Sequence, residues 1–142
     1  MAGPQFEKQA QEVLGRSFDA TRNRLRVIGL DTSYVLDGEN ELTVKTADIV
    51  ASSLGATEVV AAVAGKKIRV LGFHYTVNAA VNVKFQSATT DITGLGYHGA
   101  QGEGMARDAG FGFLFETAAG AALNINLSGA VAVGGHLTYA EV

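Results

Sequence analysis

From Leu25 onward the pattern of apolar and polar positions has a period of two, the signature of strands with one face buried and one wet. The last third of the chain, Phe111 to Val142, carries it most clearly. Leu123, Ile125 and Leu127 alternate with Asn124, Asn126 and Ser128. In the next segment Val131, Val133, Leu137 and Tyr139 share one face, and Ala132, His136 and Thr138 the other. With Gly129 between them, Ala122–Ser128 and Ala130–Tyr139 are expected to form a tight antiparallel hairpin. Upstream, Val81, Val83 and Phe85 alternate with Asn82, Lys84 and Gln86. Lys67–Val77 is the longest strand candidate. Its apolar phase changes between Val70 and Leu71, which asks for a bulge.

Other strands are weaker. Asp37-Gly38 signals a turn between Tyr34–Leu36 and Glu41–Ala51. Within the latter, Leu42 and Val44 alternate with Thr43 and Lys45 until Ile49 and Val50 break the phase, so a bulge or a new strand is expected there. Ser52–Thr57 is expected as a loop, Glu58–Ala64 as a strand and Asp91–Leu95 as a short one. Phe111, Phe113 and Phe115 restart the alternation before the hairpin. Gly94 to Gly110 holds six glycines in seventeen residues and no periodicity, which predicts a long binding or interface loop. Eight or nine short strands joined by turns predict an all-β, jelly-roll-like β-sandwich over residues 31–142.

Residues 1–30 follow a different pattern and predict an N-terminal arm. Phe6, Ala10, Val13 and Leu14 fall at helical spacing within Gln5–Leu14, and Gly15 can cap the helix. Ten residues make a marginal helix in water, so the element is expected to dock onto something. Asp19 to Asn23 supplies turn residues, after which Leu25, Val27 and Leu30 begin a strand. Arg16, Arg22, Arg24 and Arg26 gather four of the eleven basic residues into eleven positions. Two readings stay open, a solvated strand face or a docking arm for an acidic partner; in the second, Phe6, Phe18, Arg22, Arg24 and Arg26 carry the contact.

Composition narrows the function. With 142 residues the chain holds one domain plus an arm. An apolar fraction of 47%, rich in Ala and Val and without Trp, predicts a thin core of small β-branched side chains. Eighteen glycines against one proline predict tight turns and not a Pro-rich disordered tail. A net charge of −3 gives no field for nucleic acid or an anionic membrane. No Cys is present, which removes disulfides and thiolate metal sites. Met1–Glu12 lacks the apolar region of a signal peptide, and no run reaches the roughly 18 apolar residues of a membrane span. Synthesis and folding in a cytoplasm are expected.

Catalytic and cofactor motifs are weak. Gly94-Leu-Gly96-Tyr-His-Gly99 has the letters of a dinucleotide fingerprint without the following helix or the βαβ unit that motif needs. His74, His98 and His136 lack metal-ligand spacing. His74 and His136 are expected on solvated strand faces, while His98 in the glycine loop could gather at a trimer axis. No nucleophile elbow or triad is suggested, and the carboxylates are scattered in turns. Asn126-Leu-Ser128 fits a glycosylation sequon, which matters only on a secretory route. No catalytic, cofactor or metal residue is expected.

Two sets of segments carry a resemblance. Gly65-Lys-Lys-Ile-Arg-Val-Leu71, Val81-Asn-Val-Lys-Phe-Gln-Ser87, Phe115-Glu-Thr-Ala-Ala-Gly-Ala-Ala-Leu-Asn-Ile-Asn-Leu-Ser128 and Val133-Gly-Gly-His-Leu-Thr-Tyr139 resemble small structural proteins of tailed bacteriophages. Phe18-Asp-Ala-Thr-Arg-Asn-Arg-Leu-Arg-Val27 resembles the N-terminal attachment stretch of phage decoration and fibre proteins. Where such proteins often approach the Phe-Glu-Thr strand with Pro and Trp, this chain has Ala109-Gly-Phe-Gly-Phe-Leu114.

The resemblance implies a non-enzymatic virion protein assembled in the host cytoplasm, a capsid decoration (cement) protein docking on the major capsid protein or another virion protein. A fibre, collar or tail component attached through the same arm is the alternative. A carbohydrate-binding module is a third class, disfavoured by the absence of Trp and the scarcity of exposed aromatics. A homotrimer is expected, with Leu95, Tyr97 and Met105 of the glycine loop at its subunit interface.

Overall fold

The structure, a computed structural model, describes residues 40–142 in full and the backbone of three short strands that precede them. The chain divides into two compact units, Met1–Ser33 and Tyr34–Val142. In the first, β1 (Phe18–Asp19) pairs antiparallel with β2 (Arg24–Leu25), Phe18 opposite Leu25. The expected helix at 5–14, the strand continuation through Val27 and Leu30, and Phe6, Arg22 and Arg26 lie outside the described residues.

The second unit opens with β3 (Val35–Asp37) and β4 (Asn40–Leu42), paired with Asp37 opposite Asn40. It continues with β5 (Lys45–Ala51), β6 (Gly55–Val60), β7 (Ile68–Val77), β8 (Val81–Ser87) and β9 (Thr90–Asp91). Then come β10 (Gly96–His98), β11 (Gly104–Asp108), β12 (Phe115–Glu116), β13 (Leu123–Leu127) and β14 (Val133–Glu141). The described residues contain no helix, hence none long and apolar enough to cross a membrane.

Two five-stranded antiparallel sheets form. One runs β10-β8-β13-β6 with β9 added beside β8; the other runs β11-β7-β14-β5 with β12 added beside β7. They pack together around a common core. Ile49, Ile68, Val70 and Leu137 come from the second sheet and Val83, Leu123, Ile125 and Leu127 from the first, all fully buried. Most inward residues follow the strand alternation, because successive side chains point to opposite faces; the phase changes at the register shift in β7. Aromatic rings fill the middle. Phe73 meets Phe85 edge-on at 5.0 Å and Phe85 meets Phe115 at 5.1 Å, contacts worth about 0.5–1.5 kcal/mol each beyond the area they bury. Nine of the sixteen residues of the core cluster are Val or Ile, as composition predicts, and the aromatic rings are the larger side chains it did not foresee.

The alternation at β8 and β13 holds as read. So does the bulge in β7: Val70 lies opposite Tyr139 and Gly72 opposite Thr138, leaving Leu71 as the extra residue. Five expectations fail. β13 and β14 are not a hairpin: β13 pairs with β6 and β8, β14 with β5 and β7. The segment around Gly129 carries the chain from one sheet to the other, and period two says nothing about which strand is the partner. Secondly, β5 has no break at Ile49; Ala47, Ile49 and Ala51 point inward and Val44 and Val50 outward. Thirdly, the strand expected at Glu58–Ala64 lies earlier, at Gly55–Val60, where Ser52–Thr57 was expected to loop.

Fourthly, 94–110 is not structureless, since β10 and β11 lie within it. Both strands are sheet edges, and Gly96 and Gly104 sit where a side chain would crowd Tyr75. Fifthly, the Phe111–Phe115 alternation is mostly loop. Phe111 is 91% exposed, and only Phe115 reaches the core.

Candidate functional site

A cavity lined mainly by apolar side chains opens where the two sheets part, between the edge strands β10 and β11. It encloses about 360 Å³, within the size range of small-molecule sites. Phe73 and Tyr75 of β7, Phe85 of β8 and Phe115 of β12 present rings to it; Leu95, Met105 and Leu114 close it from the rim. Strand phase explains the convergence. Met105 and Arg107 lie opposite Tyr75 and Phe73 in the β11–β7 register, so all four side chains project from the same, inward face of that sheet.

Polar groups here are nearly all committed. The Thr93 hydroxyl accepts from the Phe85 amide at 2.9 Å and donates to the Gly94 carbonyl at 3.1 Å. The Tyr75 hydroxyl and His98 Nε2 share a hydrogen bond of 3.0 Å. Burial pushes the Tyr75 phenol above its ordinary value of 10.0, because a phenolate would be poorly solvated. His98 Nδ1 faces Glu103 Oε2 at 4.0 Å, and that carboxylate oxygen accepts from the Gly99 amide. This string joins β7 of one sheet to β10 of the other and pins the cavity's back wall. Arg107 differs: no carboxylate among the described residues pairs with it.

Of the residues expected at an interface, Leu95 and Met105 meet at this cavity. Tyr97 does not. Gly96 and His98 point inward, and Tyr97 between them faces solvent with 75% of its surface exposed. His98 is buried and bonded to Tyr75, which removes it from any axis where copies would gather. The arm residues Phe18 and Arg24 are placed only in backbone, Arg24 opposite Asp19. Arg107 and Phe115 were not anticipated at a site. The weak signal was the alternation of Met105 and Arg107 about Ala106, hidden among glycines.

A second constellation occupies the outer face of the β7 sheet. One cross-strand row runs Ala106, His74, His136, Asp48. Both histidines are exposed, as their strand phase predicts, and their rings meet edge-on at 4.1 Å. No group of three or more His, Asp or Glu among the described residues could hold a metal ion. Compared with known protein families, curated proteins and solved structures, the chain matches none.

Proposed function

We propose that the protein is a non-enzymatic structural component of a tailed-phage particle, a capsid decoration protein that docks on the assembled shell. The observation carrying this reading is the strand order. Written from β5, the sheets run β5-β14-β7-β11 and β6-β13-β8-β10, and the chain changes sheet at six of the nine connections from β5 to β14. That order supports reading the two sheets as the double Greek key of a jelly roll, an architecture frequent in viral capsid domains. The segments resembling phage structural proteins coincide with β7, β8, β13 and β14, the strands at the centre of both sheets. A protein that binds only the assembled shell stabilises that shell by mass action.

The test adds purified protein to shells of the phage that encodes it and counts bound copies. Hundreds of copies per shell, with a raised shell melting temperature, is the expected result. About a dozen copies, as a collar or tail ring would take, or no binding at all, overturns the decoration role.

A further inference from the structure

We propose that the cavity between β10 and β11 is a binding site for a small amphiphilic anion, a ligand with an aromatic or branched apolar body and a single carboxylate or comparable head. This goes beyond a role in assembly, and neither reading requires the other. The body is specified by the walls. Phe73, Tyr75 and Phe85, each nearly buried, form its floor, and Phe115, Leu95, Met105 and Leu114 complete a largely apolar lining around a space of about 360 Å³. Such a lining rewards any apolar group that displaces water from it. Gly96 keeps the space open: a Cβ at that position would lie 3.0 Å from the Tyr75 hydroxyl and 3.4 Å from Met105 Cε.

The head is specified by elimination among the polar groups. Thr93 spends its hydroxyl on the Phe85 amide and the Gly94 carbonyl, and Tyr75 spends its own on His98. Both therefore leave the lining without an uncommitted side-chain donor of their own. Arg107 remains, a fixed cation at the mouth with no ion-pair partner among the described residues. A guanidinium presents paired N–H donors that match a carboxylate. Attraction for the head and burial of the body then act on one molecule in one orientation, ring inward and charge at the rim. A neutral analogue of the same shape keeps only the burial.

The experiment titrates the full chain with 2-naphthylacetate and, separately, with the isosteric 2-naphthylacetamide, following the Met105 methyl signal by NMR and heat by calorimetry. Expected is saturable binding of the acid that shifts the Met105 methyl, with the amide about tenfold weaker, one charge-assisted hydrogen bond's worth of discrimination. Arg107→Gln should erase that preference by weakening the acid about tenfold while leaving the amide unchanged. Arg107 is exposed, so this variant is expected to fold, and its unfolding midpoint verifies that. No shift of Met105 at millimolar acid overturns the proposal. So does equal affinity for acid and amide. So does an acid affinity unmoved by Arg107→Gln, which would leave Arg107 as an inward-facing charge guarding the β11 edge against strand pairing.

Discussion

Gly134 and Gly135 are neighbours in β14 and alike in sequence, yet their surroundings assign them opposite effects. A Cβ on Gly135 would overlap the His74 carbonyl oxygen and lie 2.7 Å from the Tyr75 Cα, while one on Gly134 would meet nothing within 4 Å. The difference is space and not dihedral angle, since neither glycine has a positive φ. Gly135→Ala must push β14 away from β7 and is expected to cost about 1–3 kcal/mol, in the range of overpacked sites. Gly134→Ala is expected to be neutral or to stabilise by up to about 1 kcal/mol by restricting the unfolded chain. Urea midpoints of the two variants check both, and equal midpoints would contradict the close approach at Tyr75. Gly104, on the other side of β7, is confined in the same way by the Tyr75 carbonyl. No property of the glycine letters separates these three positions, because each is decided by the strand that pairs alongside.

Short elements survive here through side-chain ties. β12 has two residues, too few for a ladder to hold by itself. Glu116 fixes it: its carboxylate accepts from Lys67 Nζ at 2.7 Å and from Arg69 Nε at 3.0 Å, and Phe113 covers the Arg69 guanidinium with its ring centroid 4.4 Å away. The hydrogen bond from Lys67 is the largest cause holding the Glu116 carboxyl below its ordinary value of 4.5; burial opposes it, and the weaker hydrogen bond from Arg69 adds to the lowering. A lowered folded-state pKa adds stability that is complete above the unfolded value and is lost as pH falls through the folded one. Glu116→Gln is therefore expected to cost about 0.5–1 kcal/mol at pH 7, as for a partly exposed pair. The cost should shrink once pH drops below about 4.5, where the carboxylate of the unfolded chain protonates ahead of the folded one. Stability curves of the two proteins that stay parallel down to pH 3 would refute the tie. This element also marks the limit of what the sequence discloses. β8 and β13 were legible because both faces obey one alternation, and the β7 bulge was legible as a phase change. β10, β11 and β12 were not, because an edge strand buries little and its ladder is set by a partner far along the chain. The cavity inherits that limit: Phe73, Tyr75 and Phe85 lie on legible strands, but Arg107 and Phe115 sit on illegible ones and Leu114 in the loop before β12.

For the molecule as a whole, the open question is what covers its apolar surface. Tyr97 is 75% exposed and Leu95 45%, both on or beside the β10 edge, whose strand pairs on one side only with β8. A free strand edge and a projecting tyrosine together suit a contact with another copy, since unpaired backbone groups invite a neighbour and tyrosine is favoured at interface centres. A homotrimer that buries this edge is the expected assembly. Sedimentation at micromolar concentration checks it, and a stable monomer there counts against it. Tyr97→Ala is the clean probe, because Tyr97 faces away from the core. It should weaken association by about 1–2 kcal/mol per subunit, as truncation of an interface residue does, and leave the β signal and unfolding midpoint of the separated subunit unchanged. Met105→Ala is not equivalent, for Met105 packs against the core and lines the cavity. Its truncation should lower subunit stability as well, by less than the 2–5 kcal/mol of a fully buried methionine. Amide exchange supplies the independent arm. Protection of the Gly96–His98 amides beyond what the β8 pairing confers, appearing only as concentration rises, places the subunit contact on this edge. Exchange at those amides that ignores concentration, in a sample that sediments as a trimer, moves the contact to another face.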